Sequence, residues 1–291
     1  MKAPTVIRAH NGHVTDVLFT PNSGTLASAG MDNTVKLWAV PSWKLMRTIE
    51  GHDKSVNTLA FSPDGETLAT GSTDTTVKLW STPSGRVLNT LGGHKKTVAC
   101  VSISPDATLL ASASYDSTVR LWSLPSGEEI STLRKHKKNV TAVAISIDGQ
   151  VLASSGLGDD IFLWSLPTGA PLRTLTGHEI AVGSLAFSSD GRYLASSGYE
   201  QKVKLWATGD WSVARTLDLP SRAGLVTFSP DCRAIAVGTD YKVLLWSVES
   251  GALMEELRVE AKGVYGLSFS PDGRWLPLAA ADKKVRLWEL V

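Results

Sequence analysis

The chain has 291 residues, of which 43% are hydrophobic and 20% charged, with a formal net charge of +1. That is a globular composition with enough apolar residues for a large core, and near-neutrality argues against a surface that coats nucleic acid or membrane as a whole. Its two cysteines, Cys100 and Cys232, have neither metal-ligand spacing nor a disulfide framework.

Along the chain, TVIRAH (Thr5–His10) comes first. No run in MKAPTVIRAHNGH is apolar enough for a signal peptide, and no later stretch approaches the ~18 consecutive apolar residues of a membrane span. The expectation is a soluble, cytoplasmic protein with reduced thiols. A clear four-strand unit is written as SVNTLAFS, TLATGS, TVKLWS and RVLNTL, separated by SPDG, TDTT, PSG and GGH. The strands carry β-branched and large apolar residues, and the separators are turn formers. TVRLWSLPSG then repeats TVKLWSTPSG at an interval of 42 residues.

The same interval runs through the whole chain. Trp38, Trp80, Trp122, Trp164, Trp206, Trp246 and Trp288 each close an apolar strand, at spacings of 42, 42, 42, 42, 40 and 42. His10, His52, His94, His136 and His178 recur 42 apart. A four-stranded antiparallel unit has two apolar faces and cannot bury both alone. Units stacked radially cover one another. The periodicity therefore predicts an all-β, single seven-bladed β-propeller of four-stranded antiparallel blades, spanning residues 1–291. The last unit lacks its fourth strand, and TVIRAH matches the fourth-strand ending NTLGGH. The N-terminal strand, about residues 4–8, is expected to complete blade seven and close the ring, with no room for a second domain.

These in-phase motifs resemble the WD-repeat propeller family over nearly all of the chain, although Ala, Ser or Glu follows each tryptophan where the family's name has Asp. The resemblance implies a hydrogen-bonded tetrad of His, Ser/Thr, Asp and Trp in each blade. It assigns His10, Ser28, Asp32 and Trp38 to blade one, His52, Thr70, Asp74 and Trp80 to blade two, and His94, Ser112, Asp116 and Trp122 to blade three. Blade four keeps His136, Ser154 and Trp164 but has Gly158 at the aspartate position, followed by Asp159 and Asp160. Blade five has His178, Ser196 and Trp206, with Glu200 for the aspartate. Blades six and seven keep only Asp240 with Trp246 and Asp282 with Trp288. Pro220, Val237, Glu260 and Leu278 stand at or near their other positions.

No nucleophile elbow, phosphate-cradling loop or metal-spaced histidine pair is present, so the chain reads as a non-catalytic protein that needs neither cofactor nor metal. The alternative is an enzyme or small-ligand binder with a site at the central channel, near which His13 is the one histidine outside the tetrads. The favoured function is a scaffold that binds a peptide or an acidic protein surface on the top face, the face of the tetrad turns. The loops leading into each first strand there hold Lys54, Lys95, Lys96, Lys137 and Lys138, with further cations including Lys262. Around the channel mouth the resemblance singles out Met31, Tyr115, Tyr199 and Tyr265 as large side chains that can anchor a partner. No specific nucleic acid, no membrane and a monomeric ring are expected. Trp43 and Trp211, in the opposite turns, are expected to pack blade edges. The repeated bottom-turn aspartates are expected to do no more than shape their turns.

Overall fold

The computed structural model describes residues 3–158, 160–261 and 263–290. Asp159 and Lys262 lie outside them. The described residues form seven four-stranded antiparallel sheets and no helix. Blade one is Val14–Phe19, Thr25–Gly30, Val35–Ala39 and Lys44–Ile49, paired in chain order. The next five blades repeat that order. Blade seven is composite: Val264–Leu267, Trp275–Ala280 and Lys284–Glu289 are joined by Thr5–Arg8 as the outermost strand. Thr5 lies opposite Leu287 and Arg8 opposite Lys284, and the backbone N–H groups of Ala9 and His10 donate to the Lys283 carbonyl at 3.0 and 3.2 Å. The ring is closed as the sequence predicts.

Burial explains the architecture. The second strands are buried almost throughout, whereas the fourth strand of blade one is exposed until its last residue. The core is divided into slabs between neighbouring blades. Leu109, Ala111, Val119 and Leu121 of blade three pack with Val140, Val143, Leu152 and Trp164 of blade four, and Val285 and Leu287 of blade seven pack with Val14, Val17 and Trp38 of blade one. Each sheet thus covers its neighbour's face, which is the only way to dry both faces of every blade.

Trp43 and Trp211 occupy the left-handed conformation (φ 55° and 63°) that Gly85, Gly127 and Gly169 take in the other turns. A bulky residue there is strained. The offset comes from packing: the Trp43 ring meets Trp275 edge-on at 5.0 Å, and Trp211 meets Phe187 at 6.4 Å. The bottom aspartates build turns, as in Ser188 to Asp190 at 2.6 Å and Ser229 to Asp231 at 2.6 Å.

Removing residues 1–8 strips the pairing partner from Lys284–Leu287 and opens an edge. The truncated protein is expected to melt roughly 10 °C or more below the parent, or to aggregate. Calorimetry showing equal melting temperatures would refute the closure as a stability determinant.

Candidate functional site

The tetrads form where the motif is complete. In blade one His10 Nδ1 lies 2.8 Å from Asp32 Oδ1, the Ser28 hydroxyl 2.8 Å from His10 Nε2, and the Trp38 indole N–H donates to Ser28 Oγ at 3.0 Å. Blades two and three repeat this through His52, Thr70, Asp74 and Trp80, and through His94, Ser112, Asp116 and Trp122, with every bond between 2.7 and 2.9 Å. One proton assignment satisfies each group: imidazole Nδ1–H to carboxylate, hydroxyl to Nε2, indole N–H to hydroxyl oxygen. Burial lowers the pKa of His10, His52 and His94 below its ordinary value despite the carboxylates, which keeps the rings neutral at neutral pH. Burial opposes ionisation of Asp116, but bonds from the Thr118 hydroxyl, the Lys95 N–H and His94 outweigh it and hold the carboxyl well below the usual range. Gly51, at φ +145°, precedes His52 because a Cβ there would come within 2.9 Å of the Trp80 ring.

The other blades depart in different ways. In blade five Glu200 replaces aspartate and its longer side chain still reaches His178 Nδ1, while Ser196 joins His178 and Trp206 at 2.7 and 2.8 Å. In blade four Ser154 bridges His136 and Trp164, both at 2.8 Å, and Phe162 packs edge-on against the imidazole at 4.6 Å. In blade six Val237 replaces the hydroxyl, and the buried Trp246 indole N–H has no acceptor. Blade seven also lacks the histidine and the hydroxyl, with Glu260 and Leu278 at or near those positions, and it ties its turn in another way. The buried Arg286 guanidinium clamps Asp282 through both terminal nitrogens at 3.0 and 2.6 Å, with a 3.4 Å contact to the Glu260 carbonyl. Reading for histidine and serine missed Arg286; the available signal was an arginine two residues before Trp288.

The channel mouth is built by bulges. Every first strand slips register after its first residue, as between Val14 and Asp16 and between Val264 and Gly266. The skipped residues include Thr15, Asn57, Ala99 and Tyr265, the last of which the resemblance also places at the channel mouth. A bulge re-aims its side chain out of the ladder. Together with Met31, Thr73 and Tyr115 they line a 290 Å³ cavity at the top of the channel. Met31, Tyr115 and Tyr265 are 47, 37 and 44% exposed. Burial, with Tyr199 nearby, raises the Tyr115 phenol above its ordinary pKa. Tyr199 itself is half-buried: Arg222 lies 3.4 Å over its ring, and its edge fills the space a side chain on Gly183 would need. His13 is half-buried and stacks on Tyr265 at 5.9 Å.

Lys54, Lys95, Lys96, Lys137 and Lys138 are exposed and make no ion pair among the described residues. Ile180 and Tyr241, 52 and 53% exposed, belong to top loops and were not singled out from sequence. For Tyr241 the signal was an aromatic at a turn tip that holds Asn33 or Thr75 elsewhere. The opposite end of the channel opens into a 640 Å³ cavity lined largely by apolar side chains such as Ile103, Ile147, Phe187 and Phe228. Inside the channel Asp16 accepts N–H bonds from Val17 and Leu59, both at 2.8 Å. Enclosure by the inner strands pushes its carboxyl up to about 7. Among the described residues no three His, Cys, Asp or Glu side chains group as metal ligands.

Residues 2–39, 43–81, 85–123, 127–165, 169–207 and 253–289 match the profile described as WD domain, G-beta repeat. The chain belongs to this WD-repeat family. The stretch between the fifth and sixth matched segments contains the first three strands of blade six, the blade whose tetrad is lost. Curated relatives match over parts of the propeller. A periodic tryptophan protein 2 homolog of Schizosaccharomyces pombe is 31% identical over 80 residues, 26% of this chain and 9% of that protein. A coronin-like protein of Saccharomyces cerevisiae is 37% identical over 71 residues, 24% of this chain and 11% of that protein. Apoptotic protease-activating factor 1 of Rattus norvegicus is 36% identical over 63 residues, 21% and 5% of the two chains. The matched parts are thus small fractions of those proteins.

Two measurements probe this WD-repeat ring. Asp16 has a folded pKa near 7 against an ordinary 3.8, so the fold prefers it protonated. Its contribution is fully present below about pH 4 and is lost as pH rises through 7. The stability of Asp16→Asn relative to the parent should therefore climb between pH 4 and 7, read by denaturant unfolding; a flat difference refutes the assignment. In amide exchange, Leu217–Gly224, the stretch that leads from blade five into blade six, should exchange faster than Leu91–Thr97. Equal protection would mean that packing alone orders these loops.

Proposed function

We propose that the ring is a non-catalytic interaction scaffold that takes an acidic peptide or protein surface on its top face. WD-repeat propellers generally bind proteins or peptides. What supports the choice of face is one juxtaposition: exposed aromatic and apolar side chains around the channel mouth, inside a rim of exposed lysines that make no ion pair among the described residues. Exposed aromatics supply area at small entropic cost, and a polar rim steers a partner of opposite charge. The chain acts as a monomer and needs no cofactor. A second reading, a small-ligand or catalytic site at the channel, draws on the apolar cavity at the bottom end and on Asp16.

Surface plasmon resonance with the partner isolated from the native host separates these readings. Reversing Lys95, Lys96, Lys137 and Lys138 to glutamate should slow association and flatten its salt dependence. Tyr115→Ala should speed dissociation at a cost of ~2 kcal/mol or more. Ile147→Asp on the bottom face should change neither. Loss of binding in the bottom variant, with the top variants intact, overturns the proposal.

A further inference from the structure

The repeats of this chain act as controls for one another. In blade one the tetrad carboxylate accepts from His10 Nδ1 and from the backbone N–H of the next residue, Asn11, at 2.8 Å each. In blade two Asp74 Oδ2 takes His52 and the Asp53 N–H at 2.7 and 3.1 Å, and in blade three Asp116 Oδ2 takes His94 and the Lys95 N–H, both at 2.9 Å. Histidine, following N–H and turn thus make a built carboxylate site. Blade four keeps the donors and has lost the acceptor.

There the corresponding donors are His136 Nδ1 and the Lys137 N–H. Among the described residues neither has a hydrogen-bond partner. Gly158 stands at the aspartate position, and a Cβ added to it meets nothing within 4 Å. The space is a 220 Å³ cavity whose lining includes Lys135, His136, Lys137, Lys138 and Phe162, with Asp160 its one described acidic group. Lys135 is held over the Phe162 ring at 4.7 Å and donates to Thr174 at 2.9 Å, which fixes a cation at the site. His136 keeps its 2.8 Å bond to Ser154, so the ring is oriented with Nδ1 turned from that bond and without a partner among the described residues.

We propose that this vacated position binds a carboxylate from outside the chain: an aspartate or glutamate side chain of the partner, seated on His136 Nδ1 and the Lys137 N–H. Resting on the top-face reading above, it gives that reading a register. Three lysines surround one slot in which a single acidic side chain completes the fourth tetrad as Asp32 completes the first. Carboxylate fits better than water alone because the same donors hold one in three neighbouring blades, and charge-assisted bonds are the stronger kind. Burial first, and Lys135 second, push the empty-site imidazole down to about 4, and a seated carboxylate reverses that trend.

The test follows the His136 ring nitrogens by NMR in the full chain during titration with a capped glutamate pentapeptide, its glutamine analogue and inorganic phosphate. The glutamate peptide should shift His136 saturably, and the glutamine analogue should bind about tenfold more weakly or not at all. Gly158→Asp should give His136 a signal like that of His94 and abolish the titration. No saturable shift in the parent protein overturns the proposal, and so does equal binding by Gly158→Asp. Binding of phosphate without the glutamate peptide overturns it in favour of a phosphate site. Asp159→Asn completes the set: if it alone makes the parent competent for the peptide, Asp159 already fills the slot and the proposal is wrong. The wider reading fails separately. A partner that still docks on the top face of a chain deaf to the peptide rejects only the slot, whereas a working slot with the partner on the bottom face rejects only the face.

Discussion

A four-stranded sheet that is apolar on both faces can leave neither face in water. At ~25 cal/mol per Å² of buried apolar surface, the penalty for one open side is several kcal/mol. Every other feature of this ring follows from meeting that constraint seven times without a free edge. The slabs of core lie between blades because that is where the two faces meet. Blade seven must borrow Thr5–Arg8 because a circle has no last member whose outer strand can be spared. Where the borrowed strand ends, Ala9 and His10 are fastened to Lys283, so the closure leads directly into the first tetrad.

The tetrads answer a second constraint. The loops that turn from one blade into the next run over the top, where backbone groups need partners that the ladders no longer supply. A carboxylate that accepts from histidine and from the following N–H ties the leading loop to the tetrad turn, as Asp32 ties Asn11. The hydroxyl beneath serves two rings at once, so its loss in blade six orphans the Trp246 indole rather than merely weakening one bond. Glu200 and Arg286 show that the requirement is for a tie, not for one residue type.

Much of the fold was legible because it is written as a period. Strand-ending tryptophans at intervals of 42, with one of 40, fix blade number and phase, and the likeness of TVIRAH to the fourth-strand ending NTLGGH points to the closure that Thr5–Arg8 makes. The complete tetrads were legible for the same reason. What was not legible is where period gives way to substitution. Nothing in repetition announces that a lone Arg286 reaches back to Asp282, or that Tyr199 is held under Arg222 from the next blade. Such contacts join residues that no motif pairs. The bulges lie between: the resemblance already points to early first-strand positions such as Tyr265 at the channel mouth, and the register shows how Thr15, Asn57 and Tyr265 leave the ladder.

Asymmetry in a repeat protein is therefore informative in a way that it is not elsewhere. In an ordinary domain a glycine where a carboxylate would fit has no reference. Here three blades supply it, down to the atoms that accept and donate. Blade five keeps the acid in longer form, blade seven keeps the acid and changes its partner, and blade six gives up the histidine and hydroxyl and with them the polar network. Blade four alone keeps the oriented histidine and drops the acid, and it does so between Lys135, Lys137 and Lys138. A packing substitution would fill the space it makes, as Val237 and Leu278 fill theirs with apolar bulk. Among the described residues Gly158 leaves its space unfilled, beside Lys135, Lys137 and Lys138, and that combination is what the proposed carboxylate contact rests on.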